Sequence, residues 1–380
     1  MRLNSKVSTF ISAKKQSGSI GIEIETELNK EITTSNLLDK SIWHIKTDGS
    51  LRGNGYEFVL PSPIGEKALE KTVTYWFDSI SKNGYRCKPS QRTSIHVHRN
   101  VQDFTVIEAL NGICTYWLAE PYLLDFCGTS RKGNNFCLTL QDADGIHSQL
   151  INGIKTGKTF SNIQEETYRY ASLNIAAINR FGSLECRLMR GTDKINEIVN
   201  WSKAINQIIG AGTKFKNPVE IINSLTKEGP KKFLEKILEP DLIKYFNKFS
   251  SLSNPEDKLN ENAMYIYEIS EAKKNWDFLK NTESLQKDFE KLLKIKMDYL
   301  KTLDFKENEH TKSIALSMLN TELKVKGITD FNDFLEVKVT SQEQQVRPRV
   351  EEIINDLDEN DDEIEVPGWL GEDTSEDPEP

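Results

Sequence analysis

The residues of this chain best suited to chemistry begin at Gly21-Ile-Glu-Ile-Glu-Thr-Glu-Leu28. On a β-strand the two-residue period places Glu23, Glu25 and Glu27 on one face and Ile22 and Ile24 on the other, with successive carboxylates ~7 Å apart. Three aligned carboxylates need either water, as on the solvated face of an amphipathic strand, or cations. Further groups of matching chemistry follow: Glu57 within GYEFVLPSP, His96 and His98 sharing a face in SIHVH, and Glu185 in SLECRLM. Oxygen ligands from several strands with an imidazole suit Mg²⁺ or Mn²⁺, whereas a structural zinc site would draw on cysteine. The two histidines could equally be partly exposed or internally hydrogen-bonded.

Anion-binding candidates lie close in sequence: Lys46 in WHIKTDGSL, Arg131 in TSRKGNNF, Arg169 in YRYASLN, and Arg187 and Arg190 in ECRLMRGT. Arg187 follows Glu185 by two residues, so both project from one side of a strand. Guanidinium forks beside metal-binding carboxylates are what a bound polyphosphate requires. The alternative for each arginine is a surface ion pair.

These groups must be carried by strands, and the composition provides them. Short apolar alternations at 19–28, 56–60, 94–98, 170–178 and 183–189 read as strands separated by Gly-rich turns, with helices expected over 64–83 and 102–126. The first 212 residues therefore read as an α+β unit with an antiparallel sheet. From about 194 the pattern turns helical and continues through 218–249 and 261–304, with a break at 250–260, giving a helical region over 213–345. Residues 351–380 contain fourteen Asp or Glu and no Lys or Arg, so an acidic tail from 346 is expected to be disordered. Within it, Trp369 and Leu370 read either as part of a solubilising end or as a docking peptide for a protein partner.

The tail also explains the net charge of −9, because the remaining 350 residues carry +5. A mildly basic body can attract a nucleotide, but no basic run is dense enough to suggest a nucleic-acid surface. Five cysteines without a CxxC pair read as reduced thiols of a cytoplasmic protein. No apolar run is long enough for a membrane span. GIKTGKT at 153–159 has three residues, not four, between its glycines, which argues against a P-loop. No GxSxG elbow supports a serine hydrolase.

Taken in order, GIEIE, WHIKTDGSL, GYEFVLPSP, IHVH, Ser130-Arg131, RY..LN and LECRLMRGT resemble the amidoligase family, relatives of the glutamate–cysteine ligases and glutamine synthetases, over residues 18–210. That resemblance implies a glutamine-synthetase-like funnel walled by an antiparallel sheet, binding ATP with divalent cations. It implies metal ligation by Glu23, Glu25, Glu57, His98 and Glu185, with His96 and the additional Glu27 second to these. Lys46, Arg131, Arg169 and Arg187 would hold the nucleotide's phosphates, Arg187 and Arg190 would stabilise the transferred phosphoryl group, and Asp48 would orient the substrate or the attacking amine. Where the family has a doublet of arginines, this chain has Arg131-Lys132, and lysine cannot form the bidentate fork.

The activity so implied is ATP-dependent joining of a carboxylate to an amine, in a small molecule, peptide or protein, through an acyl phosphate. Such chemistry needs bridging cations, positive charge on the moving phosphoryl group and a site that excludes water. The competing expectation is a scaffold or virion-associated protein that keeps the sheet without the activity.

Overall fold

The computed structural model describes residues 3–272 except 35, 144, 161–162, 164–167 and 169. The expected helices beyond 272, the acidic tail and Arg169 lie outside the described residues. Alternation along the strands builds a seven-stranded antiparallel sheet from β1 (Ile20–Leu28), β2 (His44–Thr47), β3 (Asn54–Val59), β4 (Cys87–Lys88), β5 (Ser94–Asn100), β6 (Leu173–Asn174) and β7 (Ser183–Arg190). The order is β2-β3-β1-β5-β7-β6, with β4 pairing to the end of β1.

One face is apolar: Ile20, Ile22 and Ile24 of β1, Phe58 of β3, Ile95 and Val97 of β5, and Leu184 and Cys186 of β7 are all buried. Helices α1 (Glu66–Lys82), α2 (Val106–Cys127) and α5 (Ile195–Gly210) form the layer behind the sheet, where Trp76 meets Phe58 edge to face at 5.7 Å. Thr105 and Glu108 begin α2 with a reciprocal capping box. The other sheet face carries the polar groups and has no helix among these on it. Half-buried chemistry is therefore presented on a wall whose back is fixed by close packing.

The 170–178 alternation yields only a two-residue strand, β6, and then turns into helix α4 (Ala177–Phe181). The turn comes from Asn174, whose Oδ1 accepts from the Ala176 backbone N–H at 3.0 Å. Residues 153–159 end helix α3 (Ile146–Thr156), with Gly157 in the left-handed region as its cap. A phosphate loop must precede a helix, so this segment has the wrong polarity for one.

After Phe215 the chain forms α6 (Pro218–Glu228), α7 (Pro230–Ile237), α8 (Pro240–Asn247) and α9 (Ala263–Glu271). Proline at the first position of α6, α7 and α8 starts a new helix each time, which divides 218–249 into three short elements. Helices α6 and α9 pack on α2, so residue 212 marks a change in secondary structure within continuous packing. No helix of the described residues is long and apolar enough to cross a membrane.

Glu120 ties α2 to the sheet. Its carboxylate is 1 % exposed and accepts from the Leu140 N–H at 3.0 Å and from the Ser172 hydroxyl. Burial pushes its pKa up to about 8 despite these hydrogen bonds. An acid whose pKa rises on folding stabilises fully below its unfolded value, near 4.5, and loses that contribution as pH rises through about 8. Relative to wild type, Glu120→Gln should therefore gain more than ~1 kcal/mol between pH 5 and 8.5 in urea unfolding. A pH-independent difference would contradict this.

Candidate functional site

Register brings the predicted ligands together. Glu23 pairs with His96 across β1 and β5, His98 with Glu185 across β5 and β7, Glu25 with Glu57 across β1 and β3, and Lys46 with Glu57 across β2 and β3. All of these lie on the polar face. Gly21 pairs with His98, and a Cβ there would come within 3.2 Å of the His98 Cβ, so glycine leaves room for the imidazole.

The tightest group is Glu23, His96 and Glu185, each offering an atom within 4.8 Å of the others. His96 Nδ1 lies 3.2 Å from Glu23 Oε2 and 3.6 Å from Glu185 Oε1. At 1 % exposure for His96, 5 % for Glu185 and 9 % for Glu25, a solvated strand face is excluded. Ser94 settles the imidazole's orientation. Its hydroxyl donates to Glu25 and therefore accepts from His96 Nε2 at 2.7 Å. Its Nδ1 then faces oxygens of both Glu23 and Glu185, so three candidate ligand atoms converge on one point.

Arg187 reaches into this group. Its Nη1 bonds Glu185 Oε1 and lies 3.4 Å from His96 Nδ1, while its buried Nε has no hydrogen-bond partner among the described residues. A guanidinium N–H thus sits where a small cation would be coordinated. Ligands about 2.1 Å from a hard cation stand about 4.2 Å apart across it, so the donor set fits Mg²⁺ or Mn²⁺ after a small closing movement.

The electrostatics follow from this crowding. Burial works to raise Glu23, but the charge on His98 and the histidine hydrogen bonds outweigh it and hold Glu23 well below the usual carboxylate range. Burial also opposes Glu185, and His98, Arg187 and His96 bring it below its ordinary value. Burial disfavours the charged form of His98, yet Glu23 and Glu185 raise it to about 9; its Nε2 is 3.2 Å from Glu23 Oε1. Burial and then repulsion from Glu23 push Glu57 up to about 7, against Lys46 at 3.3 Å.

The remaining predicted residues have other partners. Arg131 is 2 % exposed and donates to the Leu188 and Arg187 carbonyls at 3.0 and 2.6 Å. These carbonyls belong to the place where β5–β7 pairing slips register, so Arg131 satisfies the bulge and positions Arg187. With Nε and Nη2 on backbone carbonyls and the side chain buried, Arg131 acts here on the strand and not on the open face of the wall, where the expectation had it holding phosphate. Arg190 bonds Glu197 at 2.8 Å and the Phe126 carbonyl. Asp48 accepts from the Ser50 N–H at 2.8 Å and shapes the β2–β3 turn. Glu27 accepts from the Arg52 N–H and the Ser90 hydroxyl at 3.0 and 3.1 Å.

Two concavities flank the carboxylates. One, about 350 Å³, is lined by Gly21, Glu23, Lys46, Pro61, His98 and Phe181. The second, about 510 Å³, lies beyond Glu27 and includes Arg52, Arg92, Lys132, Asn134 and Phe136, together with Ser90. Sequence reasoning named Lys132 but neither Arg52 nor Arg92, which stand in turns without strand periodicity. The chain matches no protein-family model and no curated protein.

Proposed function

We propose that this protein is an ATP- and divalent-cation-dependent carboxylate–amine ligase with a glutamine-synthetase-like active-site wall. The reaction converts a carboxylate, an ammonium group and ATP into an amide, ADP, phosphate and a proton, with an acyl phosphate between. The observation that carries this reading is the convergence of one candidate ligand atom each from Glu23, His96 and Glu185, with Arg187 set among them.

In this reading Glu23, Glu185 and His96 hold one cation, and Glu25, Glu57 and His98 complete the polar wall around it. Mg²⁺ or Mn²⁺ so held would neutralise the phosphates of ATP and polarise the transferred group. Lys46 and Arg187 supply fixed positive charge beside the carboxylates. Ser94 holds the imidazole of His96, and Arg131 holds the strand that carries Arg187. The apolar residues of the smaller cavity, Val59, Pro61 and Phe181 among them, suit a purine better than a polyanion.

The test is thermal melting with Mg²⁺ or Mn²⁺ and ATP, followed by phosphate release across a panel of acids and amines. Millimolar Mg²⁺–ATP should raise Tm by linkage, and phosphate release should require both an acid and an amine. Metal affinity should increase between pH 6 and 9, because Glu57 and then His98 lose protons as pH passes about 7 and about 9. No stabilisation by metal and nucleotide, or affinity falling over that range, would contradict the proposal.

A further inference from the structure

The strongly acidic sheet face raises the question of how a carboxylate substrate approaches it. Glu23, Glu25, Glu27, Glu57 and Glu185 repel an incoming acid, and the cations among them are engaged, Lys46 with Glu57 and Arg187 with Glu185. The larger cleft beside Glu27 has the opposite character. Its lining includes Arg52, Arg92 and Lys132 and not one acidic residue. Resting on the ligase reading above, we propose that this cleft binds an acidic peptide, whose side-chain carboxylate is the group the enzyme activates.

Several features of the cleft support that occupant. The cations are spread around the opening, so they match carboxylates distributed along a chain better than one compact anion. Arg52 and Arg92 are exposed; Arg92 uses Nη1 on the Ser50 carbonyl at 2.7 Å, which fixes its stem to the β2–β3 turn. Lys132 lies 3.6 Å from Asp125, which tempers but does not cancel its charge. Gln91, Ser130 and Asn135 add neutral donors and acceptors of the type that pair with peptide backbone. Phe136, 39 % exposed, offers an apolar edge for the stems of acidic side chains.

The walls are also tied together before any ligand arrives. Asn134 Nδ2 donates to the Gln91 and Ser130 carbonyls at 3.3 and 3.0 Å, and its Oδ1 accepts from the Phe136 N–H at 2.9 Å. These bonds hold the two loops together before a ligand binds, which lowers the ordering cost of binding. Finally, the cleft floor is joined to the carboxylate row, since Ser90 and the Arg52 backbone both bond Glu27. Glu27 is two strand repeats, about 14 Å, from Glu23 of the cation site, so a peptide held by Arg52 and Lys132 can run along the carboxylate row toward it.

The test measures fluorescence anisotropy of a labelled tetraglutamate peptide at fixed Mg²⁺, with and without saturating ATP. Wild type should bind it at least tenfold more tightly than tetraglutamine. Arg52→Ala/Lys132→Ala should weaken tetraglutamate binding at least tenfold while leaving Mn²⁺ affinity unchanged. Equal binding by the double variant, displacement of the peptide by Mg²⁺–ATP, or tighter binding of an oligothymidylate would each overturn the assignment. Phosphate release driven by a monocarboxylate, with no tetraglutamate binding, overturns the cleft assignment and leaves the ligase reading standing. Cleft-dependent peptide binding without phosphate release from ATP supports the cleft and refutes the ligase reading instead.

Discussion

Glu185→Gln is expected to lower Mn²⁺ affinity by more than about 100-fold and to abolish the stabilisation that metal and nucleotide give wild type. The Glu185 carboxylate is the only predicted ligand that touches Arg187 and approaches His96 Nδ1 and also accepts from Asn174 Nδ2, at 2.8 Å. An amide in its place keeps the shape and one acceptor but loses the charge that offsets cation desolvation. The metal-free variant should also melt lower, because the mostly buried Arg187 loses its counter-charge. Glu23→Gln should reproduce the loss of metal affinity. Calorimetric titration with Mn²⁺, beside circular dichroism to establish folding, checks both variants; affinity within threefold of wild type in a folded variant would contradict the assignment.

Arg187→Gln should change metal affinity in the other direction. Its guanidinium nitrogen now occupies the space between Glu185 and His96, so removing it frees two ligand atoms and one positive charge. Mn²⁺ affinity without nucleotide should rise, by up to about tenfold, or ~1.4 kcal/mol. ATP turnover should nevertheless fall by about 10²–10³, the usual effect of losing a preorganised cationic donor at developing phosphoryl charge. Tighter metal with slower chemistry separates a cation stand-in from a structural ion pair, for which both quantities would stay near wild type. Direct titration and phosphate-release kinetics on one protein preparation provide the two readouts.

The strand period in GIEIETEL was sufficient to align Glu23, Glu25 and Glu27, because side-chain alternation is a local property of extended backbone. Likewise, Arg187 and Glu185 share a face through their spacing alone. The ranking of His98 above His96 came from the resemblance and was not legible in HVH, since both imidazoles lie on one face; the structure separates them by placing His96 Nδ1 near both Glu23 and Glu185. Arg131 illustrates a second limit. Its backbone partners exist because β5 and β7 slip register between Ile95 and Val97, and a slip between strands ninety residues apart leaves no local signal. Helix α3 was not anticipated, although Gly145 and Gly157, both left-handed in the structure, bracket its apolar repeat. The basic cleft is dispersed over three turns, where charge has no periodicity to reveal it.

In the proposed reading Glu23, His96 and Glu185 together hold one divalent cation. Anomalous scattering from Mn²⁺ in crystals of the protein locates that ion directly. A peak is expected within about 2.0–2.2 Å of Glu23 Oε2, Glu185 Oε1 and His96 Nδ1, with the Arg187 guanidinium withdrawn from between them. A saturating Mn²⁺ soak that leaves Arg187 bonded to Glu185, with the ion elsewhere or absent, would contradict it.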